Sequence, residues 1–136
     1  MAGKTLFISD GTGGDNSDRW KFTTGIDDIA TDSLVQGDLN QAQVSPISSF
    51  TAFESCEDLI ANGKVDWYLP AKDELNIMSI NYSDINAAAT NALSLGDYWS
   101  SSEFDIDDGW RQILSSGVQT TGKKDGNERV RCVRYE

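Results

Sequence analysis

Side chains that usually carry catalysis are scarce in this sequence. It contains no His, which removes the commonest general base and the usual partner of a nucleophilic Ser or Cys. Its two cysteines, Cys56 and Cys132, are far apart and form no CxxC redox motif. Two thiols cannot complete a four-ligand zinc site alone. We therefore expect no enzymatic activity, no cofactor and no bound metal.

Carboxylates are abundant, and two acidic stretches superficially resemble calcium-binding loops. These are "SDGTGGDNSD" (residues 9–18) and "DIDDG" (residues 105–109). A calcium loop needs the spacing D-x-[DN]-x-[DN]-G. With Gly109 at the sixth position, the first and third positions are Phe104 and Ile106, whose side chains cannot ligate calcium. We interpret both stretches as solvated Gly/Asp loops and expect ligand binding to be independent of Ca²⁺.

The stretch "YWSSSEFDIDDGW" (residues 98–110) combines aromatic, serine and acidic residues in an unusual order. Tyr98, Trp99 and Trp110 are expected to be buried, because aromatic side chains each bury roughly 150–250 Å². Ser100–Ser102 are expected to satisfy backbone groups in an irregular turn. The acids would then be displayed on a rigid support, which lowers the entropic cost of binding. The alternative is a solvated turn that binds nothing.

Composition indicates a single folded domain spanning residues 1–136. The chain is long enough to bury a core and contains four Trp, five Phe and four Tyr. It has no apolar run of the roughly 18–20 residues that a membrane span needs. The opening stretch "MAGKTLFISDGTGG" has only "LFI" as an apolar core. We therefore expect neither membrane insertion nor a secretory signal peptide.

The charge is unevenly distributed around a formal net value of −11. Residues 1–109 hold 5 basic and 19 acidic residues, whereas residues 110–136 hold 6 basic and 3 acidic residues. Nucleic-acid binding is not expected, because phosphates would be repelled by so acidic a chain. The basic stretch "RVRCVR" (residues 129–134) is interpreted as pairing with acids of the same domain. A local anion site is the alternative.

Periodicity predicts helices in the middle of the chain. The first has Ser45 as its N-cap, places Cys56 on a buried apolar stripe and ends at Gly63. Pro70 opens a second helix, and a third runs from Asp84 to Gly96. The preceding segment, residues 23–43, is polar and is interpreted as a long excursion without regular structure.

Short strands separated by Gly-containing turns follow Gly96. Together with the central helices they predict an α+β domain with two to three helices and a C-terminal antiparallel meander. Cys56 and Cys132 are both expected to face the core and to lie near each other. In a protein assembled in the cytoplasm their thiols are expected to be reduced.

Four motifs occur in a characteristic order: "DWYLPAKDEL", "YWSSSE", "GW" and "VRCVR". In these motifs and their order, the chain resembles the Lcl C-terminal, FISUMP-like family of C-type-lectin-fold domains. Residues 45–135 match the family best. The resemblance implies a C-type-lectin-like fold over the whole chain. Gly109 departs from the Ala that is usual in the family.

Variable proteins of diversity-generating retroelements often carry the same C-terminal half. There, the positions between the Trp-Ser-Ser-Ser-Glu motif and the last strand display a ligand surface. By resemblance, the ligand-binding residues here are Phe104, Asp105, Asp107, Asp108, Arg111, Ile113, Ser116, Val118, Thr120 and Thr121. Whether this face is diversified or ordinarily evolved stays open.

The resemblance implies a non-enzymatic ligand-binding module. The favoured interpretation is a phage virion protein, assembled in the host cytoplasm, that acts as a tail-fibre or receptor-binding adhesin or as a head decoration. One alternative is a bacterial surface or secreted lectin-like domain. A second is a relative of formylglycine-generating enzymes, which share the broad fold but use a Cys-based metal site.

The expected partners follow from the favoured interpretation. They are a host-cell surface receptor, either protein or glycan, and other virion proteins. A homotrimer is considered as the assembly, and the oligomeric state stays open.

Overall fold

The computed structural model of the chain describes residues 5–10, 16–21, 29–88 and 92–136. The described α-helices are α1 (Gly37–Gln43), α2 (Thr51–Glu57), α3 (Lys72–Ile80) and α4 (Tyr82–Ala88), with a short 3₁₀ helix at Ile47–Ser49. The strands are β1 (Leu6–Ile8), β2 (Asn16–Arg19), β3 (Asp97–Glu103), β4 (Asp108–Ile113), β5 (Gln119–Lys123), β6 (Asn127–Val130) and β7 (Val133–Tyr135). Among the described residues, every helix is too short or too polar to span a bilayer.

The strands form two sheets, and the larger has the order β2-β6-β3-β4-β5. β3, β4 and β5 form an antiparallel meander. β6 then crosses to the other side of β3, where it pairs parallel with β3 and antiparallel with β2. β1 and β7 form a separate antiparallel pair. The α+β class is therefore confirmed, but the meander ends at β5.

β3 lies between two hydrophobic clusters because its successive side chains point to opposite faces of the sheet. Tyr98 belongs to a cluster with Leu75 and Met78 of α3. Trp99 belongs to the other cluster, with Trp20 and Phe53. Both faces of this strand are thus covered, and β3 is buried along almost its whole length.

Tryptophan burial agrees only in part with the sequence prediction. Trp67 and Trp99 are buried, with exposed fractions of 4% and 0%. Trp110 is half-buried, so its predicted burial is confirmed only in part. Trp20 is 0% exposed and packs edge-on against Phe50 and Phe53. Trp20 therefore provides the large aromatic core contact that was expected of Trp110.

Cys56 and Cys132 are joined by a disulfide. Both residues are buried in the Trp20–Trp99 cluster, which confirms that they face the core and lie close together. The expectation of reduced thiols is wrong. The disulfide links α2 to the segment between β6 and β7, and it closes a loop of sequence separation 76.

Helix α1 lies within the segment that was interpreted as irregular. Its inward face carries Asn40 and Gln41, which are buried, and therefore lacks the apolar stripe that periodicity detects. The Gln41 side chain donates to the Phe53 carbonyl and accepts from the Leu69 amide. Asn40 donates to Ser101 Oγ of β3. Side-chain hydrogen bonds replace apolar contacts at this interface.

The helix predicted from Ser45 to Gly63 is shorter than expected. α2 ends at Glu57, and residues 61–64 form a two-residue turn in which Ala61 and Lys64 exchange backbone hydrogen bonds. Asn62 and Gly63 both have positive φ, as a type I′ Asn-Gly turn requires. Gly63 therefore closes this turn and does not cap the helix.

The predicted third helix and the predicted helix count also differ from the structure. α4 spans Tyr82–Ala88, and part of the predicted helix, residues 89–91, lies outside the described residues. The described part of the chain has four α-helices where two to three were predicted, mainly because α1 was missed.

Candidate functional site

The three serines of β3 form a buried hydrogen-bond network at the base of the candidate site. Ser100, Ser101 and Ser102 are each 0% exposed. Ser100 Oγ donates to the Trp110 carbonyl, and Ser102 Oγ donates to the Ser33 carbonyl. The Ser101 amide donates to the Pro70 carbonyl. These bonds join β3 to three other parts of the chain and provide partners for its buried polar groups.

These serines lie in a strand irregularity, where a turn was predicted. The pairing of β3 with β4 shifts register between Trp99 and Glu103. Because the intervening residues are released from regular pairing, their polar groups can bond to other segments. The prediction that the serines satisfy backbone groups is thus confirmed.

Beyond β3, an exposed segment that we call the acidic loop (residues 104–107) leads into β4. The Phe104 and Asp105 amides both donate to the Asp108 carbonyl, at 2.9 and 3.2 Å. Asp105 Oδ1 accepts from the Asp107 and Asp108 amides, at 2.9 and 2.7 Å. The loop is therefore exposed and has a backbone fixed by its own hydrogen bonds.

An ion pair between Glu103 and Lys124 holds the base of the acidic loop. Lys124 Nζ donates to Glu103 Oε2, and the two side chains are 3% or less exposed. The Lys124 amide donates to the Asp107 carbonyl at 2.9 Å, and its ammonium group lies 4.8 Å from the Trp20 ring centroid. The ion pair thus joins the loop to the β5–β6 turn and the core.

Charges at this end of the sheet are set by local hydrogen bonds. Hydrogen bonds from the Asp108 and Asp107 amides lower the pKa of the Asp105 carboxyl. The Asp108 carboxylate, 3.1 Å from Lys123 Nζ, raises the pKa of that lysine. Asp105 therefore stays ionised to lower pH than an ordinary aspartate.

All ten predicted binding residues are exposed or half-buried. They lie in the acidic loop (Phe104, Asp105, Asp107), in β4 (Asp108, Arg111, Ile113), in the following turn (Ser116, Val118) and in β5 (Thr120, Thr121). The two ends of β4 are about 17 Å apart, at about 3.4 Å per residue, and we divide the ten residues into two groups by their position along this hairpin. The turn-end group is Ile113, Ser116 and Val118, and the other seven residues form the loop-end group. The structure therefore does not bring all ten together.

The loop-end group is also divided between two faces of the hairpin. Arg111 is paired with Thr120, and Trp110 with Thr121, so Arg111 and Thr121 point to opposite faces. A hollow of about 390 Å³ in this part of the hairpin includes Asp108, Arg111, Thr121 and Lys123 in its lining. A single ligand in this hollow could contact these four residues.

Arg111 is held in position by acids of neighbouring strands. Its guanidinium donates to Glu128 Oε1 of β6 and lies 3.8 Å from Asp97 Oδ2 of β3. Burial is the largest influence on Glu128 and raises its pKa, while Arg111 opposes this shift. Arg111 thus has a structural role as well as a place in the hollow.

The basic C-terminal stretch pairs within the domain, as its favoured interpretation predicted. Arg134 donates to both Asp66 carboxylate oxygens, at 2.6 and 3.1 Å, and this hydrogen bonding lowers the pKa of Asp66. Arg131 is 1% exposed and donates to the Ser9 and Ala92 carbonyls. These contacts favour a structural role over a local anion site.

Trp110 and Lys72 belong to the candidate site but were not predicted as binding residues. The Phe104 ring packs edge-on against Trp110 at 5.2 Å between centroids. Lys72 Nζ lies 4.6 Å from the Trp110 ring centroid. Alternation of side chains over residues 110–114 predicted which face of the strand Trp110 lies on. Only the tertiary contacts show that this face is partly exposed near the acidic loop.

Within the described ranges, no three or more His, Cys, Asp or Glu residues are grouped so that they could hold a metal ion. The site instead offers fixed carboxylates, an aromatic edge and two lysines, which suit hydrogen bonding and apolar contact with a ligand. The Lcl C-terminal domain family model matches residues 15–134. A search of the curated proteins found no match.

Proposed function

Because the chain belongs to the Lcl C-terminal domain family, we propose that it is a non-enzymatic binding module whose ligand contacts the acidic loop and the adjoining hollow. We also propose that its α+β arrangement is a C-type-lectin-like fold. The order of the four motifs in the sequence supports this proposal. The disulfide between Cys56 and Cys132 supports a non-enzymatic role, since neither sulfur is then a free thiolate.

The observation that carries this proposal is the fixed backbone of an exposed loop. The Asp105 carboxylate accepts hydrogen bonds from the Asp107 and Asp108 amides. The buried ion pair of Glu103 and Lys124 fixes the base of the loop. A loop ordered before binding loses less conformational entropy when the ligand arrives. The exposed Phe104 ring, at 53%, adds apolar contact beside the carboxylates.

The proposed setting is a virion surface, where the module would act as a receptor-binding adhesin or a head decoration. Its partners there would be a host-cell receptor and other virion proteins. The disulfide is compatible with this setting, because disulfides persist on virion and cell surfaces exposed to oxidising conditions. The same observation favours a second candidate, a bacterial surface or secreted binding domain.

Quantitative mass spectrometry distinguishes the two settings. The protein inventory of purified particles is compared with that of the cell envelope and culture medium of the strain that encodes the chain. Enrichment in particles at the stoichiometry of a structural component supports the virion role. Enrichment in the envelope or medium, with none in particles, supports the surface or secreted domain.

Two variants of the hairpin test the location of the binding site. The loop-end variant combines Phe104→Ser, Asp107→Asn and Thr121→Ala, and the turn-end variant combines Ser116→Ala and Val118→Ser. Exposed substitutions usually change stability by no more than about 0.5 kcal/mol, so both variants should melt like the parent. Binding of labelled, multimerised domain is measured on host cells and on glycan arrays.

We expect the loop-end variant to lose binding and the turn-end variant to keep it. The turn-end variant is the matched control, because it changes the same hairpin at residues that were equally predicted from the sequence. If the loop-end variant binds like the parent, the proposed site is wrong. Loss of particle incorporation with unchanged cell adsorption would instead indicate a decoration role.

A further inference from the structure

Strand β5 forms one edge of the five-stranded sheet and, within the described residues, pairs with β4 alone. The opposite edge strand, β2, contacts α2, since Thr51 Oγ1 donates to the Arg19 carbonyl and Ser55 Oγ donates to Asp18 Oδ2. β5 is half-buried to exposed along its length. Its outer edge is therefore accessible to another strand.

The hydrogen bonds at the two ends of the β4–β5 pairing fix which backbone groups of β5 face outward. The Ile113 amide donates to the Val118 carbonyl, and the Lys124 amide donates to the Asp107 carbonyl, both at 2.9 Å. Hydrogen-bonded and non-hydrogen-bonded pairs alternate along an antiparallel ladder. The even-numbered residues of β5 therefore bond to β4, and the backbone groups of the odd-numbered residues point away from it.

These outward groups belong to Gln119, Thr121 and Lys123. The Lys123 carbonyl accepts from the Gly126 amide at 2.8 Å. The three N–H groups and the carbonyls of Gln119 and Thr121 have no backbone partner in the part of the chain that the structure describes. A row of alternating free donors and acceptors is a template for a further strand.

β5 also lacks the features that usually prevent association at a sheet edge. Bulges and prolines serve this purpose in many proteins. Each residue of β5 is opposite one residue of β4 without a register shift, and the segment Gln119–Lys123 contains no Pro. The edge is thus regular over five residues.

We propose that β5 pairs antiparallel with β5 of a second copy of this chain, about a two-fold axis at Thr121. In this register Thr121 lies opposite the same residue of the second copy, and Gln119 lies opposite Lys123. Each of the three opposed pairs exchanges two backbone hydrogen bonds. A two-fold interface uses one self-complementary surface on each copy, and this register provides it.

Charge favours this edge over other surfaces for contact between two copies. The formal net charge of −11 makes one copy repel another over most of its surface. Residues 110–136, which include β5, instead hold 6 basic and 3 acidic residues. The one charged residue of β5 is Lys123, and the proposed register places it opposite the neutral Gln119. The pairing therefore avoids like charges opposite each other, which destabilise cross-strand pairs.

The proposal is tested on the disulfide-bonded domain without ligand, so its outcome is independent of the acidic-loop site. Interfaces below about 1,200 Å² are weak, and two short strands offer a small one. We therefore expect sedimentation equilibrium to show a reversible change from one chain to two between about 10 μM and 1 mM. A mass of one chain throughout, or of three chains, would overturn the proposal, because two-fold pairing closes at two copies.

Amide hydrogen exchange at low and high protein concentration identifies the surface. Protection of the Gln119, Thr121 and Lys123 amides should rise with concentration. The Thr120 and Gly122 amides should be protected at every concentration, because they donate to β4. A dimer that leaves exchange of the three outward amides unchanged would use another surface and contradict the proposal.

A pair of substitutions at Gln119 separates the backbone contribution from that of the side chain. Gln119→Pro removes an N–H that points away from β4, where an edge strand tolerates Pro. It should weaken dimerisation at least about tenfold, because each copy loses one intermolecular hydrogen bond. Gln119→Val is the matched control, since it keeps the N–H and should dimerise like the parent.

Equal dimerisation of these two variants would contradict pairing through β5. Gln119 lies outside the acidic loop and the hollow, so the comparison leaves the proposed ligand site intact. If Gln119→Pro does not fold, the alternating amide protection of the parent still decides the proposal.

Discussion

Lys124 and Glu103 form a buried ion pair in which 1% and 3% of the two side chains are exposed. The charges lie on the β5–β6 turn and at the end of β3, so the pair links two segments that flank the acidic loop. Removing one charge leaves the other buried without its partner, which costs more than the pair itself contributes.

Lys124→Met should therefore destabilise the domain by about 3–5 kcal/mol, measured by urea unfolding. The double variant Glu103→Gln/Lys124→Met should recover part of that loss, because no unpaired charge is left. Lys123→Met is the matched control. Lys123 is adjacent but 66% exposed, so its loss should change stability little. Equal effects of the two lysine substitutions would show that the Glu103 pair is not buried in solution.

Acidification should loosen the acidic loop through Asp105. The pKa of the Asp105 carboxyl is lowered because its ionised form accepts hydrogen bonds from the Asp108 and Asp107 amides. The stability that these hydrogen bonds add to the folded protein is fully present above the unfolded pKa of about 3.9. It is lost as pH falls through the lower pKa of Asp105 in the folded protein. The Asp107 and Asp108 amide resonances should shift only below about pH 3.9. Asp105→Asn should abolish this titration, and a midpoint above the ordinary value would contradict the hydrogen-bonding pattern.

Replacing both cysteines by Ala should cost about 4 kcal/mol, because the disulfide closes a loop of sequence separation 76 in the unfolded chain. Denaturant unfolding without reductant measures the loss, and the parent in reductant should approach the double variant. Reductant should leave the stability of the double variant itself unchanged. An intact mass of the parent that shows two free thiols would rule out the bond in the purified protein.

Trp99→Ala and Trp20→Ala should each cost about 3–5 kcal/mol, the range for large aromatic deletions in cores. Both side chains are 0% exposed. Trp110→Ala should cost about 1 kcal/mol, since the ring is half-buried, yet it should weaken ligand binding by removing the partner of Phe104 and Lys72. If Trp110→Ala is as destabilising as Trp99→Ala, Trp110 belongs to the hydrophobic core and not to the binding site.

The sequence was informative where side chains act through burial and periodicity. Alternation over residues 110–114 predicted β4, and the apolar stripe of α2 placed Cys56 in the core. Helix α1 escaped prediction because Asn40 and Gln41 are its buried residues, together with Gly37. Polar side chains become core residues only when distant groups such as the Phe53 carbonyl are present.

The candidate site was predictable as a stretch of chain but not as a surface. Residues 104–121 were identified by resemblance, and all ten positions are accessible. Their separation into two groups depends on the direction of the β4–β5 hairpin, which residue types do not encode. The Glu103–Lys124 pair was also missed, because the partners are 21 residues apart in sequence and the motif that contains Glu103 does not indicate its partner. The oxidised state of Cys56 depends on compartment as well as geometry.

The pairing of β1 with β7 bears on the order in which the molecule folds. Leu6 is opposite Tyr135, and Thr5 and Glu136 exchange backbone hydrogen bonds, so this sheet can close only after residue 135 has been synthesised. Contacts between such distant residues carry a large loop-closure entropy and slow the folding of a chain. Nascent chains should therefore hold β1 unpaired until β7 has left the ribosome, and pulsed hydrogen exchange during refolding should protect the Leu6–Ile8 amides after those of β3 and β4. Earlier protection of β1 would mean that a different pairing forms first.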